Sequence, residues 1–383
     1  MTDADTRPRR DGRVSAAPAV RAGAHRRAYI DVARGLAVLL MIEAHTTDAW
    51  TRAAAKHSPA FRNATILGGF AAPLFLWLAG VAVVLAAGRA EARSGSRATA
   101  VDGICRRGLE IFILAFLFRL QAFMLSPGAH PITLFRVDIL NVMGPAIVFA
   151  ALAWLVTDSK VSSTVLFSLL ATAVAMATPL VRHLPVVDRL PLLLQWYVRP
   201  SGDNTTFTSF PWIGFVFAGA AVGTLLTAVR DKRVERLLLG TIGIAGVIAV
   251  AGGFYAASLP SIYRDSSFWT TSPAYFAIRA GVLMIALVVL YGVEEILHVA
   301  AAPMNALARF GRSSLFVYWI HVELVYGYAS WMLRRHLPLW GTFAAYAVFT
   351  LLMFGAVVLR DYVVERWRHR NVQMSLQYKA EAV

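Results

Sequence analysis

The chain has 383 residues, of which 58% are hydrophobic and 15% charged, with a mean hydropathy of +0.59. Soluble domains carry about 25% charged residues, so this composition excludes an ordinary soluble enzyme and predicts an all-α polytopic helix bundle in a membrane. The net charge is +15, but Lys and Arg fall in short segments between apolar blocks. That is the pattern of topology-setting loops, not of a nucleic-acid-binding face.

Residues 1–27 are polar and Arg-rich and read as a disordered cytoplasmic tail. About ten apolar blocks follow, each long enough to cross the hydrocarbon core. They fall near 29–50, 66–88, 104–125, 139–157, 161–179, 207–229, 237–258, 273–293, 311–333 and 338–360. Pro127, Pro179, Pro260 and Pro338 punctuate their ends. Residues 28–360 thus form one transmembrane domain, and 361–383 a cytoplasmic C-terminal tail. With the N-terminus in the cytoplasm, the inside segments hold more than twice the Lys and Arg of the outside ones. This asymmetry predicts both termini inside, in a bacterial-type plasma (inner) membrane. In the long outer loop, "LPLLLQWYV" reads as a short interfacial or re-entrant segment, or as plain loop packing.

Cys105 is the single cysteine and cannot form an internal disulfide. No metal-spaced His/Cys set, phosphate-binding loop, dinucleotide fingerprint or Ser-His-Asp signature is present, so no metal is expected.

The chemistry must therefore come from polar residues inside the spans. Ionisable groups at membrane depth cost about 2.5–3.5 kcal/mol each on insertion scales and normally face a bundle interior or a cavity. In the first span, Asp31, Arg34, Val38, Met41 and His45 share one helical face, and Glu43 points nearly opposite. Arg34 and His45 are about three turns apart, at different depths. Asp31 and Arg34 also suit a plain structural pair, whereas His45 can act as base, acid or nucleophile. In the ninth span, Ser314, Tyr318, His321 and Tyr328 share a face and Glu323 points away, as either interhelical glue or cavity lining. Arg119, at the outer end of span three, and Arg136, before span four, are candidate anion-binding groups. His57, in the outer-loop "KHSPAF", is a second catalytic candidate, and Trp77 and Trp212 are candidates for the cavity wall.

"YIDVARGLAVLLMIEAH", "FAAPLFLWLAGVAVVLA", "LFRVDILNVMGPAIV", "FPWIGFVFAGAAVG" and "LARFGRSSLFVYWIHVELV" occur in that order. Together they resemble the heparan-α-glucosaminide N-acetyltransferase catalytic-domain family, from about residue 28 to 360. This family lies within a wider group of transmembrane acyltransferases that includes the acyltransferase-3 family. The resemblance implies transfer of an acyl group, with acetyl the leading case, from cytoplasmic acyl-CoA to a glycan or lipid-linked acceptor at the outer face. The acyltransferase-3 branch carries an Arg-x10-His pattern in its first helix, which Arg34 and His45 match. The heparan branch typically has asparagine at the outer position and a histidine in the following segment, where His57 stands. His45 needs no gap to align and is the leading catalytic candidate. Arg34, oriented by Asp31, would then contact the donor near the inner face, with Arg119 and Arg136 as helpers, and Ser314, Tyr318 and His321 would complete the cavity. Two other readings stand beside it: a transporter for a small anion or lipid precursor, which would use the same buried His and Arg, and a non-catalytic membrane scaffold, which leaves the polar faces without a purpose. Against transport, no inverted repeat or pair of broken helices is visible.

Overall fold

The computed structural model describes residues 27–126, 130–229, 231–297 and 302–381. The tail expected over 1–27 therefore lies, apart from Arg27, outside the described residues. Among those described there are thirteen α-helices and no strand, only two isolated bridges. In chain order the helices are α1 (Ala28–Trp50), α2 (Pro59–Gly68), α3 (Ala71–Ser94), α4 (Arg97–Leu125), α5 (Ile139–Leu155), α6 (Lys160–Val181) and α7 (Leu192–Val198). They continue as α8 (Ser209–Thr227), α9 (Lys232–Ser258), α10 (Pro273–Leu297), α11 (Ala302–Arg312), α12 (Ser314–Tyr326) and α13 (Leu339–Glu381).

Local sequence sets these boundaries. The side chains of Ser96, Asp138 and Asp231 accept backbone N–H groups at the starts of α4, α5 and α9, satisfying donors that a helix leaves orphaned. Gly95 ends α3 at φ +67°, a left-handed conformation that favours glycine.

All ten expected spans are helical. Among the described residues, seven helical segments are long and apolar enough to cross a membrane by themselves; α1, α5 and α12 are not among them. α1 fails through its charge, with Asp31, Arg34, Glu43 and Asp48, and the other two are short. The span expected at 66–88 is a pair, α2 and α3, hinged at Gly69 and Phe70. The expected C-terminal tail continues α13 as helix through Glu381. The "LPLLLQWYV" stretch forms the short α7, whose Trp196 packs against Val137 and Val142.

The long helices alternate in direction, which defines two ends of the bundle. At the end where α1 begins (the basal end), Arg27 pairs with Glu235 at 2.7 Å and Tyr29 donates to the same carboxylate at 2.8 Å. At the opposite (distal) end, Thr51 bridges to Leu337 and Val137 to Thr205.

Close backbone approach holds the centre together. A Cβ on Gly219 of α8 would overlap the Trp77 carbonyl of α3, and one on Gly80 would overlap the Val216 carbonyl. Gly311 meets the Asp31 carbonyl of α1 in the same way. In lipid, where apolar burial gives little drive for association, small residues that let backbones pack tightly are a main source of cohesion.

Candidate active site

A cavity of about 990 Å³ lies between α1, α2, α3, α4, α5 and α12. Arg107 and Ser314 line it toward the basal end, and Lys56, Arg136 and Arg334 toward the distal end. Six cationic side chains (Lys56, Arg107, Arg119, Arg136, Arg279 and Arg334) face it against three carboxylates, Asp48, Asp138 and Glu323. The size is at the upper end of small-molecule sites, about 300–1,000 Å³.

His45 lines this cavity at mid-depth and is half-buried. Its Nδ1 lies 2.9 Å from Nε2 of His321 on α12. The two rings are parallel to within 2° with centroids 5.0 Å apart. His321 has no exposed surface, does not line the cavity, and places Nδ1 2.8 Å from the Val317 carbonyl. One turn further along, the Tyr326 hydroxyl donates to Asp48 at 3.0 Å, and the Tyr326 ring stands edge-on to His45. The Trp50 indole donates to the Val325 carbonyl at 3.2 Å. Three contacts thus hold α1 and α12 in one register.

On the opposite wall, Arg119 of α4 pairs with Asp138, which also caps α5; both face the cavity. Arg136 donates to the Thr206 hydroxyl at 3.1 Å. Ser314 and Tyr318 line the cavity as expected.

Other candidates lie elsewhere. Asp31 and Arg34 are absent from the lining and stand 3.2 Å apart as an i, i+3 pair, the structural alternative. His57 is exposed at the end of a 3₁₀ turn, Ala53–His57, and it is Lys56 beside it that reaches the cavity. Glu323 was expected to point away, yet it lines the cavity, accepting from Ser126 at 3.1 Å. The lined face of α12 runs from Ser314 to Tyr326, with His321 and Glu323 on its two edges. Tyr328 is exposed because α12 ends at Tyr326, so helical angles no longer apply to it. Trp77 is buried between α3 and α8, whereas Trp212 does line the cavity. Glu43 faces α2, away from His45, as its angle predicts.

Asp48, Arg107, Arg279 and Tyr326 were not foreseen. Asp48 and Tyr326 had a legible signal: Asp48 is one turn beyond His45, and Tyr326 two turns beyond Tyr318. Arg279 is an arginine inside an apolar span, which is a functional hypothesis by default.

A family model described as "Heparan-alpha-glucosaminide N-acetyltransferase, catalytic" matches residues 26–255, more than half of the chain. The chain belongs to the heparan-α-glucosaminide N-acetyltransferase catalytic family. Membership brings membrane-bound, acetyltransferase-like activity. The match spans α1 through most of α9, including His45, Arg119, Arg136 and Asp138; α12, with His321, lies beyond it. No curated protein matches the chain significantly.

Proposed function

We propose that the chain transfers an acetyl group from acyl-CoA to a hydroxyl or amine of a glycan or lipid-linked acceptor, with His45 as general base. The observation that carries this reading is His45 on the wall of a cavity of about 990 Å³ that Arg107 and Ser314 line toward the basal end and Lys56, Arg136 and Arg334 toward the distal end.

Orientation follows from charge: the excess of Lys and Arg in the basal segments makes that end cytoplasmic. The donor then reaches the cavity past Arg107 and Ser314, and the acceptor past Lys56, Arg136 and Arg334. The fit to a phosphorylated donor rests on the cationic lining, because arginine matches phosphate geometry with paired donors. When bound, the donor supplies an acyl thioester, whose carbonyl carbon is the electrophile. His45 takes the proton of the acceptor O–H or N–H as that atom bonds to the carbonyl carbon. The C–S bond breaks, and His45 returns the proton to the departing sulfur, so the products are acylated acceptor and free thiol. Arg119, held by Asp138, and Arg136 keep positive charge on the distal wall.

The test is purified protein with radiolabelled acetyl-CoA and a panel of amino and hydroxyl sugars, following label transfer and thiol release together. His45→Ala should lower the rate about 10²- to 10⁴-fold, and His57→Ala should leave it within twofold. Equal rates in wild type and His45→Ala would refute the assignment. Donor-independent substrate uptake by proteoliposomes would favour a transporter instead.

A further inference from the structure

His321 is the most buried titratable group beside the site, yet it touches nothing in the cavity. Its two ring nitrogens have different partners. Nδ1 faces the Val317 carbonyl oxygen at 2.8 Å, and a carbonyl can only accept. The proton therefore sits on Nδ1. An imidazolium with no exposed surface and no carboxylate among its hydrogen-bond partners would carry a heavy desolvation cost. The neutral ring is the ground state, and its Nε2 is a bare acceptor.

That acceptor stands 2.9 Å from Nδ1 of His45, and the two rings are parallel to within 2°. His45 must then carry its own proton on Nδ1, which leaves Nε2 as the lone pair available to the cavity. We propose that His321 is a positioning residue: held by the Val317 carbonyl, it fixes His45 as the Nδ1–H tautomer and aims the basic Nε2 at the acceptor. The logic is that of a base oriented by a third group, with a neutral imidazole in the place where other enzymes use a carboxylate.

Two features support a dedicated orienter rather than incidental contact. The register of α1 against α12 is set independently on the distal side by Asp48–Tyr326 and Trp50–Val325, so the histidine pair is not needed to hold the helices together. And the exclusion of His321 from the cavity leaves its two ring nitrogens facing His45 and the Val317 carbonyl. As a neutral acceptor it can also take up part of the positive charge that forms when His45 is protonated, through the same N–H···N bond.

The inference rests on His45 being the base, so the experiment separates the two claims. His321→Leu removes the acceptor at similar volume, and His321→Gln restores an acceptor oxygen near the Nε2 position. Expected is a fall in kcat of at least about 100-fold for His321→Leu with KM within threefold, and recovery of at least tenfold of the loss in His321→Gln. The second readout needs no activity: ¹⁵N-histidine spectra of the full-length protein, with the His45 resonances assigned by their loss in His45→Gln. Wild type should show a protonated Nδ1 and a bare Nε2 at His45, and His321→Leu should show mixed tautomers. A protonated Nε2 in the wild type, or a His321→Leu protein that folds and keeps its kcat, would overturn the proposal. If His45→Ala stays active while the spectra show the expected tautomer, the positioning stands and the assignment of His45 as base falls. A His321→Leu protein that does not fold passes the decision to His321→Gln and to the wild-type spectrum.

Discussion

Replacing Asp138 probes the cavity wall most directly, because this carboxylate has two jobs. It caps α5, accepting the Ile139 N–H at 2.7 Å while its own N–H donates to Asn141 Oδ1 at 3.0 Å. It also pairs with Arg119, and the two side chains are only 13% and 12% exposed. Asp138→Asn keeps a capping oxygen and removes the charge. Breaking a buried pair on one side costs about 3–5 kcal/mol, and the cavity-facing position with Arg136 nearby argues for the lower figure, about 3 kcal/mol. Asp138→Ala also loses the cap, worth about 1 kcal/mol more, for a total near 4 kcal/mol on the same estimates. Arg119→Met/Asp138→Asn removes both charges while keeping the cap, and should fall well short of the sum of its single changes, with a coupling of about 2 kcal/mol. Thermal unfolding in detergent, followed by size-exclusion chromatography, ranks wild type, Arg119→Met, the two Asp138 variants and the double variant. Strict additivity in the double variant would refute the coupling, and equal stability of the Asn and Ala variants would refute the cap.

Gly219→Leu should abolish monodisperse protein, because its side chain would occupy the place of the Trp77 backbone, an overpacking cost above about 3 kcal/mol; Gly240→Ala, with open space around it, should be neutral or slightly stabilising by the same chromatographic assay. Tyr29→Phe removes one donor to Glu235 while Arg27 remains paired, so thermal unfolding should register a loss of about 0.5–1.5 kcal/mol. Arg279 packs on the Tyr275 ring at 4.2 Å. Arg279→Lys keeps the charge and loses the planar stack, and in the transfer assay KM for acceptor or donor should rise roughly 2- to 20-fold with kcat little changed; an unchanged KM for both would remove Arg279 from the binding surface.

The helices were legible because their signal is one of composition: apolar blocks longer than a bilayer is thick, broken by Pro and by clusters of Arg. His45 was legible for the complementary reason, a titratable group where none is tolerated without purpose. Glu323 was misread because a helical wheel assigns one polar face per helix. α12 packs on more than one neighbour, and its polar residues meet α1 on one edge and Ser126, at the end of α4, on the other. Tyr328 was misread because the wheel was carried past Gly327, where the helix stops. Nothing in the spacing of Asp31 and Arg34 told whether they line the cavity; the structure places them 3.2 Å apart and outside its lining.

Of the ten expected spans, the three that fail as independent membrane spans, α1, α5 and α12, all contribute lining to the cavity. For biogenesis this sets an order of events. α1 leaves the ribosome first yet carries Asp31, Arg34, Glu43 and Asp48, and each charge near mid-membrane adds about 2.5–3.5 kcal/mol to insertion. α12, at thirteen residues, is about 20 Å long and falls short of a hydrocarbon core of about 30 Å. We infer that these segments settle in the bilayer only when the α3–α8 pair and the other apolar helices are there to receive them. The reaction chamber would then be the last part of the protein to form, and a glycosylation reporter on truncated chains should find α1 stably inserted only after α8 has been synthesised. Stable insertion of α1 alone would remove that ordering.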